Sequence, residues 1–339
     1  MKKVRILALV HDHLVPPEDT TGVDILEAEW KMEYDVIETL REVGHTVRVL
    51  GIHDDLSGIR HSAQAFKPHI IFNLMEAFAD VTTFDQNVVS YLELLHLPYT
   101  GCNPHGLILT RDKALSKKLL AYHRIPVPEF TVIRPGRKPA LRKRLTFPLI
   151  VKSLFFEASA GISQASVVEN PEQLTRRVAF IHEKLGTAAI VEQFIDGREI
   201  YVGVVGNERL DVFPPWEMSF DKMPENRWKI ATERVKWSTQ YQKKHGIMTD
   251  KARLDATLTD RIQRIAKRAY RALDLSGYAR IDVRMDEENR MYVLEANPNP
   301  NLAYGEDFAE SAEVSGMSYE RLLDRIITLG LRWEPARTG

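Results

Sequence analysis

The sequence is poor in cysteine, with Cys102 as the single example among 339 residues. One cysteine excludes a disulfide within the chain and is typical of a protein from a reducing compartment. Cys102 follows Gly101 in a predicted turn, and the sequence gives no sign of an activating base. We therefore expect an inert thiol rather than a catalytic one.

Long apolar runs and a strong net charge are also missing. No stretch approaches the roughly 20 apolar residues that a membrane-spanning helix needs. The short apolar run Val4–Val10 ends in His-Asp-His, without the small-residue cleavage site of a signal peptide. The formal net charge of -1 gives no attraction to nucleic acid or to an anionic membrane, and the basic run Arg137–Arg144 is interpreted as a solvated loop. We therefore expect a cytoplasmic protein whose partners are small molecules.

The first hundred residues alternate between apolar strand candidates and amphipathic helix candidates. This alternation is typical of an open, mostly parallel α/β sheet. A chain of 339 residues also exceeds what one hydrophobic core usually holds, so we expect a separate domain over residues 1–100. Its strand candidates are Val4–Val10, Val47–Gly51 and His69–Leu74, and its helix candidates are Tyr34–Val43 and Asn87–Leu95.

The rest of the chain predicts two further units of α+β character. We expect a smaller unit over residues 101–188 and a strand-rich unit over residues 189–339. The stretch Pro214–Asp250 shows no clear periodicity and is expected to be irregular. The predicted strands are Leu149–Ser153, Ala165–Val168 and Ala189–Gln193, and the predicted helices are Asp112–Tyr122, Pro171–Leu185, Leu258–Leu273 and Tyr319–Leu329.

Two short polar patterns near the C-terminus form the strongest chemical motif. Arg280-Ile-Asp282 and Glu295-Ala-Asn297 each put two polar side chains on one face of a strand, because side chains two residues apart share a face. The polar stretch Asp286–Arg290 predicts a turn that brings Asp282 opposite Glu295. In the same register, Arg280 comes opposite Asn297. Carboxylate and amide oxygens are ligands that Mg²⁺ prefers, and arginine can stabilise a transferred phosphoryl group; a surface hairpin with ordinary charges is the alternative.

A loop of small residues, Phe156–Ile162, lies between two strand candidates. Its backbone amides could approach phosphate oxygens and Gly161 could adopt a positive φ, although a plain β-turn explains the same composition. Lys152 ends the strand before the loop and needs an anionic partner if it points inward, or else it reaches solvent. Lys113, at the start of a predicted helix, opposes the helix dipole, which favours a role in anion binding.

The segment Val191–Glu199 combines the end of one strand, a turn at Gly197 and the start of another. Backbone groups near Glu192 could hydrogen-bond an adenine edge, and Glu199 could accept hydrogen bonds from ribose hydroxyls. Considered alone, an ordinary strand–turn–strand is the simpler interpretation.

Taken in order, these patterns resemble the ATP-grasp superfamily and, within it, the D-alanine–D-alanine ligases. The resemblance runs from Leu97–Gly101 through Lys113 to Asn297 and covers most of the chain. It implies an α/β protein with an N-terminal Rossmann-like parallel sheet followed by a two-subdomain ATP-grasp fold. It also implies an ADP-forming carboxylate–amine ligase that works through an acyl phosphate, using ATP and two Mg²⁺ ions, for which Mn²⁺ can substitute.

The resemblance further implies roles for individual residues. Metal ligands would be Asp282, Glu295 and Asn297. Catalytic residues would be Arg280, Lys236 and Ser159, with Arg280 steadying the acyl phosphate. Nucleotide-binding residues would be Lys113, Lys152, Ala158, Ser159, Gly161, Ile162, Glu192, Gln193, Phe194, Ile195, Glu199 and Lys236.

The segments that select substrates depart from the family pattern. Met75–Phe84 stands where those ligases carry His-Gly and Gly-Glu-Asp-Gly, and Ala303–Asp307 replaces their serine-leucine pair. We therefore expect substrates other than two D-alanines, although a true D-alanine–D-alanine ligase and a non-catalytic nucleotide-binding protein stay open. Glu306 and Asp307 either favour a cationic amine substrate or simply complement a helix dipole. Many relatives dimerise, so a homodimer is also open.

His11 and His13 form a His-x-His pair at the end of the first predicted strand. No third metal ligand lies near them in sequence. Ligands of parallel α/β sheets bind beyond the carboxyl ends of the strands. We therefore expect a role in a substrate pocket or a loop rather than in a metal site.

Overall fold

A computed structural model of the protein describes residues 2–141, 143–156, 159 and 161–335. Its N-terminal part is the predicted parallel sheet, with strand order β2-β1-β3. Residues Ile6 to Val10 of the central strand are fully buried, which explains their unbroken apolar run. The elements are β1 (Arg5–His11), α1 (Lys31–Glu42), β2 (Thr46–Ile52), α2 (Ser57–Phe66), β3 (Ile70–Asn73) and α3 (Asp85–Leu94).

The middle part is a four-stranded antiparallel sheet in the order β4-β7-β5-β6, with helices packed on it. The predicted strand Ala165–Val168 is too long, because Gln164–Ser166 form a 3-10 turn that leaves two residues for β6. The strand β7 of this sheet lies beyond residue 188, at which the sequence analysis ended the middle unit. The domain boundary itself stays a prediction. The elements are α4 (Pro104–Arg111), α5 (Lys113–Tyr122), β4 (Phe130–Ile133), β5 (Leu149–Ser153), β6 (Val167–Val168), α6 (Pro171–Lys184) and β7 (Ala189–Gln193).

The C-terminal part contains the largest sheet, in the order β11-β10-β8-β12-β13 with β9 beside β8. Its strands are β8 (Arg198–Val205), β9 (Asp211–Val212), β10 (Trp216–Phe220), β11 (Ile247–Lys251), β12 (Tyr278–Met285) and β13 (Met291–Pro298). Its helices are α7 (Glu233–Trp237), α8 (Thr239–His245), α9 (Ala256–Ala272), α10 (Asp307–Val314) and α11 (Tyr319–Leu331).

The prediction that Pro214–Asp250 is irregular is wrong. The segment contains β10 and β11, which pair antiparallel, and the short helices α7 and α8. β11 is an edge strand in which only Ile247 is buried, so its sequence shows no alternation of apolar and polar residues. By contrast, the apolar stripe predicted for α9 is confirmed, with Ile262, Ala266 and Ala269 fully buried.

The N-terminal and C-terminal parts share one hydrophobic core. Leu7 and Val88 belong to the same buried cluster as Ile262 and Ile281. Near this junction the backbone of Gly277, at φ +70°, approaches the Gly101 carbonyl so closely that a Cβ at Gly277 would lie 2.4 Å from its oxygen. The N-terminal sheet is therefore held firmly against the elements that form the candidate site.

Candidate active site

β12 and β13 form the predicted hairpin, and its register is confirmed. Asp282 pairs with Glu295 and Arg280 pairs with Asn297, with a turn after Met285. A β-bulge follows Asp282, since Val283 pairs with Val293 rather than with Leu294. Two carboxylates and two other polar groups therefore share one face of the largest sheet, as the spacing predicts.

Asp282 and Glu295 lie in different electrostatic surroundings. The guanidinium of Arg280 donates to both oxygens of Asp282, with Nε–Oδ1 2.8 Å and Nη2–Oδ2 3.0 Å. Burial raises the pKa of Asp282, although Arg280 opposes this. Burial would also raise the pKa of Glu295, but nearby cations, Lys113 first, outweigh it and hold the pKa at about 2. Glu295 is therefore ionised at neutral pH. The ionised form of Asp282 is favoured only by the cationic groups close to it.

Asn297 has an unsatisfied polar atom. Its Nδ2 is buried and makes no hydrogen bond with any residue that the structure describes. Such a group carries a free-energy cost unless a further partner is bound. Turning the amide by 180° brings its oxygen to the same position, where it can face a cation. The trio of Asp282, Glu295 and Asn297 thus fits an oxygen-ligated metal such as Mg²⁺.

Four lysines and Glu192 form a charged cluster, buried or half-buried, beside the hairpin. Glu192 lies between two of them, with Oε2 3.1 Å from Lys152 Nζ and Oε1 3.2 Å from Lys117 Nζ. Lys113 Nζ donates to the Phe156 carbonyl at 2.9 Å and lies 3.6 Å from Glu295 Oε2. The fourth, Lys236 of α7, is half-buried and lines the same cleft.

Burial and neighbouring charges shift the pKa values of three of these lysines in different directions. Burial lowers the pKa of Lys113 and of Lys117, with only partial compensation from Glu295 and Glu192 respectively. Burial also acts on Lys152, but Glu192 outweighs it and raises its pKa. Two of these cations are therefore held at a cost that a bound polyanion such as a phosphate chain would reduce.

The small-residue loop after β5 contacts the segment that leads into α7. Ser159 Oγ donates to the Ala231 carbonyl at 2.7 Å, and Glu233 N donates to the Ile162 carbonyl at 3.2 Å. Ser159 and Gly161 both have positive φ, +62° and +69°. The predicted nucleotide residue Ala158 lies outside the described residues.

A second contact joins the same two segments through a pair of reciprocal hydrogen bonds. Gln164 Nε2 donates to the Trp228 carbonyl at 2.9 Å, and Trp228 N donates to Gln164 Oε1 at 2.8 Å. The Trp228 ring meets the Phe194 ring edge-on at 5.1 Å between centroids. The two segments therefore form a joint cover over one end of the cleft.

The residues predicted for the nucleoside end lie near Arg284. Its guanidinium pairs with Glu199 and donates through Nε to the Ile195 carbonyl at 3.1 Å. Tyr201 donates its hydroxyl to Glu199 at 3.0 Å. The Phe194 ring lies 5.7 Å from the guanidinium carbon. Glu199 is thus oriented by two side chains, and its carboxylate oxygens can still accept further hydrogen bonds.

One cleft brings most of the predicted residues together. Its lining includes Lys113, Lys152, Ser159, Ile162, Glu192, Gln193, Phe194, Ile195, Glu199, Lys236, Asp282 and Glu295. Gly161, Arg280, Asn297, Glu306 and Asp307 are not in that lining. Arg280 and Asn297 nevertheless lie on the same strand pair, next to Asp282 and Glu295.

Glu306 and Asp307 lie at the start of α10. Glu306 is the exposed N-cap residue, and Asp307 is in the first turn, with Oδ2 3.9 Å from Arg280 Nη1. This position matches the helix-dipole alternative, since acidic groups stabilise a helix N-terminus. The contact with Arg280 also connects Asp307 to the candidate site.

Sequence reasoning missed two charged residues of the site. Lys117 lies one turn after Lys113 on α5, and this i, i+4 spacing could have identified it as facing the same way. Arg284 lies two residues after Asp282, on the same face of β12, and period-2 spacing could have identified it. Among apolar lining residues, Ile150, Ile230 and Leu294 were also not predicted.

Two further sequence expectations concern Cys102 and membrane-spanning helices. Cys102 is fully buried, and burial raises the pKa of its thiol to about 12, as expected for an inert cysteine. Within the part of the chain that the structure describes, no helix has both the length and the apolar character needed to cross a bilayer.

Comparisons with known proteins agree with this architecture. A family model described as "D-ala D-ala ligase C-terminus" matches residues 119–328. The "Uncharacterized protein y4sG" of Sinorhizobium fredii is 30% identical over 305 residues, which cover 88% of this chain and 86% of that protein. The D-alanine–D-alanine ligase of Desulfotalea psychrophila is 31% identical over 258 residues, 75% of this chain and 77% of that protein.

A solved structure shows the same fold over the whole length. The D-alanine–D-alanine ligase from Bacillus anthracis, in its complex with ATP, matches with a TM-score of 0.74 at 21% identity. The match covers 97% of this chain and 98% of that chain. The predicted fold class, a parallel α/β sheet followed by two antiparallel sheets of ATP-grasp type, is therefore confirmed.

Proposed function

The chain belongs to the D-alanine–D-alanine ligase family of the ATP-grasp superfamily, and from this premise we propose that it is an ADP-forming carboxylate–amine ligase. In the proposed reaction a substrate carboxylate oxygen attacks the γ-phosphorus of ATP, and ADP leaves. An amine then attacks the carbonyl carbon of the acyl phosphate, and inorganic phosphate leaves. The observation that carries the proposal is the cleft in which the facing pair Asp282 and Glu295 meets three lysines, the buried Lys113 and the half-buried Lys152 and Lys236.

The oxygen ligands favour Mg²⁺ as the metal. Asp282 and Glu295 are buried or half-buried carboxylates directly opposite each other, and Asn297 adds an amide with a buried unpaired atom. Mg²⁺ would supply charge neutralisation for the phosphate oxygens. A set of three protein ligands is compatible with two ions because Mg²⁺ retains water and phosphate oxygens as further ligands. The number of ions, and the use of Mn²⁺, are part of the proposal.

The chain's own cations would act on the phosphate chain and on the reacting groups. Lys113 and Lys152 are proposed to hold phosphate oxygens, and Lys236 to reach them from the cover segment. Arg280 would stabilise charge on the acyl phosphate, since its proton is never lost. Ser159 and the amides near Gly161 would close over the phosphates, excluding water that would otherwise hydrolyse the intermediate.

The nucleoside would occupy the other end of the cleft. Gln193, Phe194 and Ile195 would line the adenine, and Glu199 would accept hydrogen bonds from the ribose. Glu192 contributes differently, since its carboxylate is engaged by Lys117 and Lys152. Its proposed role in binding nucleotide is therefore to hold Lys152 in place and to offer backbone groups to the base.

We propose substrates other than two D-alanines. The segments Met75–Phe84 and Ala303–Asp307 lack the family's substrate patterns, and polar pockets discriminate strongly because unmatched groups stay unpaired. The relative that matches 88% of this chain is itself uncharacterised. In this proposal Glu306 and Asp307 favour a cationic amine as nucleophile, in addition to stabilising the N-terminus of α10. Replacing both, as Glu306→Gln with Asp307→Asn, should raise KM for the amine and leave KM for the carboxylate unchanged.

The decisive experiment is a screen of ADP release over paired carboxylates and amines in the presence of Mg²⁺. Release that needs both substrates, and that is lost in Glu295→Gln, supports the proposal. Strong release with D-alanine alone identifies a true D-alanine–D-alanine ligase. ATP binding without turnover across the whole panel favours a non-catalytic nucleotide-binding protein instead.

A further inference from the structure

A group of histidines and aspartates meets at the carboxyl edge of the N-terminal sheet. His11 is the last residue of β1, and His53 follows β2, whose last residue, Ile52, pairs with His11. Asp80 lies in the tight turn after β3, and the amide of its neighbour Ala79 donates to the His53 carbonyl at 2.8 Å. Three different chain segments therefore supply side chains to one point. The sequence expectation that no third ligand lies near His11 and His13 overlooks Asp12, and His53 and Asp80, which are distant in sequence, also group with His11.

The distances among these side chains fit a metal ion. His11 Nε2 lies 3.5 Å from Asp80 Oδ1, and His53 Nε2 lies 3.9 Å from Asp80 Oδ2. One ligand atom from each of the three residues can be chosen so that all lie within 4.8 Å of one another. In a tetrahedral site with bonds of about 2.0–2.1 Å, ligand atoms stand about 3.3 Å apart. His53 is half-buried and Asp80 is exposed, so both side chains have room to move closer together to the separation that a tetrahedral site needs.

A second observation points independently to a ligand. His11 is only 4% exposed, yet neither of its ring nitrogens makes a hydrogen bond with any residue that the structure describes. Buried polar atoms without partners are rare in folded proteins and indicate an ion, a water or another bound group. A metal ion would satisfy the buried Nε2 directly.

Asp12 occupies the opposite side of the two imidazoles. Its Oδ1 lies 2.9 Å from His11 Nδ1 and 3.7 Å from His53 Nδ1. Neither contact is a hydrogen bond, so Asp12 contributes only a nearby negative charge on the Nδ1 side of the two rings. The Nε2 atoms of both histidines lie on the side of Asp80.

We propose that His11, His53 and Asp80 bind a divalent transition-metal ion. Two imidazoles and one carboxylate are a ligand set suited to Zn²⁺ and related ions, and they leave a coordination position for water or for a ligand. The set differs from the all-oxygen group of Asp282, Glu295 and Asn297. The proposal does not depend on the ligase reaction.

The test measures Zn²⁺ binding to the full chain after treatment with a chelator. Titration calorimetry is done in excess Mg²⁺, so that oxygen-rich sites are already filled. We expect one Zn²⁺ per chain. His53→Ala and Asp80→Asn should each weaken binding at least tenfold, and both positions are open enough to solvent for the variants to fold. His105→Ala is the matched control, because His105 also pairs with an aspartate, with Nδ1 2.7 Å from Asp274 Oδ2, but lies outside the cluster.

Co²⁺ provides a second readout, since its visible absorption reports nitrogen ligation and low coordination number. The spectrum should appear in the unmodified chain and in His105→Ala, and disappear in His53→Ala. Absence of Zn²⁺ uptake by the unmodified chain overturns the proposal. So does full affinity in both cluster variants, or an equal loss in His105→Ala. Failure of ADP release in the ligase screen would leave these results unaffected, so the two proposals fail separately.

Discussion

Lys117 Nζ lies 3.2 Å from Glu192 Oε1, and both side chains are 1% exposed. Lys117 also donates to the Leu294 carbonyl of β13. The buried Lys117 thus connects α5 to β7 in the middle sheet and to the β12–β13 hairpin in the largest sheet. The relative position of the two sheets, and with it the shape of the cleft, depends on this connection.

Lys117→Met should therefore destabilise the protein by about 2–4 kcal/mol, because removing one partner of a buried ion pair leaves the other charge partly uncompensated. Lys152 remains beside Glu192 and limits the loss. Urea denaturation measures the free energy of unfolding. Lys118→Met, at the exposed neighbouring position of the same helix, is the control and should change it by less than about 0.5 kcal/mol. Equal effects of the two substitutions would contradict this account.

The facing carboxylates give a prediction for activity. Asp282→Asn and Glu295→Gln should each reduce ADP release at least about 100-fold, because the proposed function places both carboxylates beside the phosphates and their metal. Glu288→Gln, in the exposed turn of the same hairpin, should keep full activity. Excess Mg²⁺ is expected to restore part of the activity of the two variants. Loss of activity with unchanged Mg²⁺ dependence would argue against a role in metal binding.

Glu33 of α1 gives a prediction for the pH dependence of stability. It is 1% exposed, and burial raises the pKa of its carboxyl from 4.5 to about 7. The folded state therefore binds this proton more tightly than the unfolded chain does, so Glu33 lowers stability as the pH rises from 4.5 to 7. Glu33→Gln removes this effect. Relative to the unmodified chain, it should gain up to about 3 kcal/mol between those limits.

Denaturation midpoints at mildly acidic and mildly alkaline pH measure this gain. Glu42→Gln, at an exposed position of the same helix, is the matched control and should show no such pH dependence. A constant difference between Glu33→Gln and the unmodified chain at all pH values would refute the prediction.

The contact between Gly277 and Gly101 gives a prediction that separates backbone strain from steric overlap. Gly277→Ala introduces a Cβ at φ +70° that would lie 2.4 Å from a carbonyl oxygen. Gly186→Ala adds a Cβ at φ +65°, with no described heavy atom within 4 Å. The second substitution should cost about 1 kcal/mol, from the left-handed backbone alone. The first should cost at least about 2 kcal/mol more, as measured by thermal unfolding, and similar losses at both glycines would be the contrary result.

Much of the site could be predicted because its residues are linked by short periodicities. The i, i+2 spacing of Arg280 and Asp282, with a polar turn of clear composition, was enough to predict the register of the hairpin. The ordered patterns from Lys113 to Asn297 then indicated the fold. Local spacing of this kind is visible in a single sequence because strand geometry determines which side chains share a face.

The parts that were missed depend on contacts between distant residues. The grouping of His11, His53 and Asp80 follows from the order of three parallel strands, which no local pattern specifies. The edge strand β11 is nearly all exposed, so its sequence lacks the alternation of apolar and polar residues that predicts a strand. Likewise, Ala165–Val168 has a strand-like composition, but Ser163 and Ser166 cap a 3-10 turn that interrupts it.

The reciprocal hydrogen bonds between Gln164 and Trp228 have a consequence for the order of events in a catalytic cycle. Gln164 lies in the segment after β5 of the middle sheet, and Trp228 lies in the segment after β10 of the largest sheet. The two segments cannot separate without breaking both hydrogen bonds. Nucleotide entry and product release would then both require the two segments to move together.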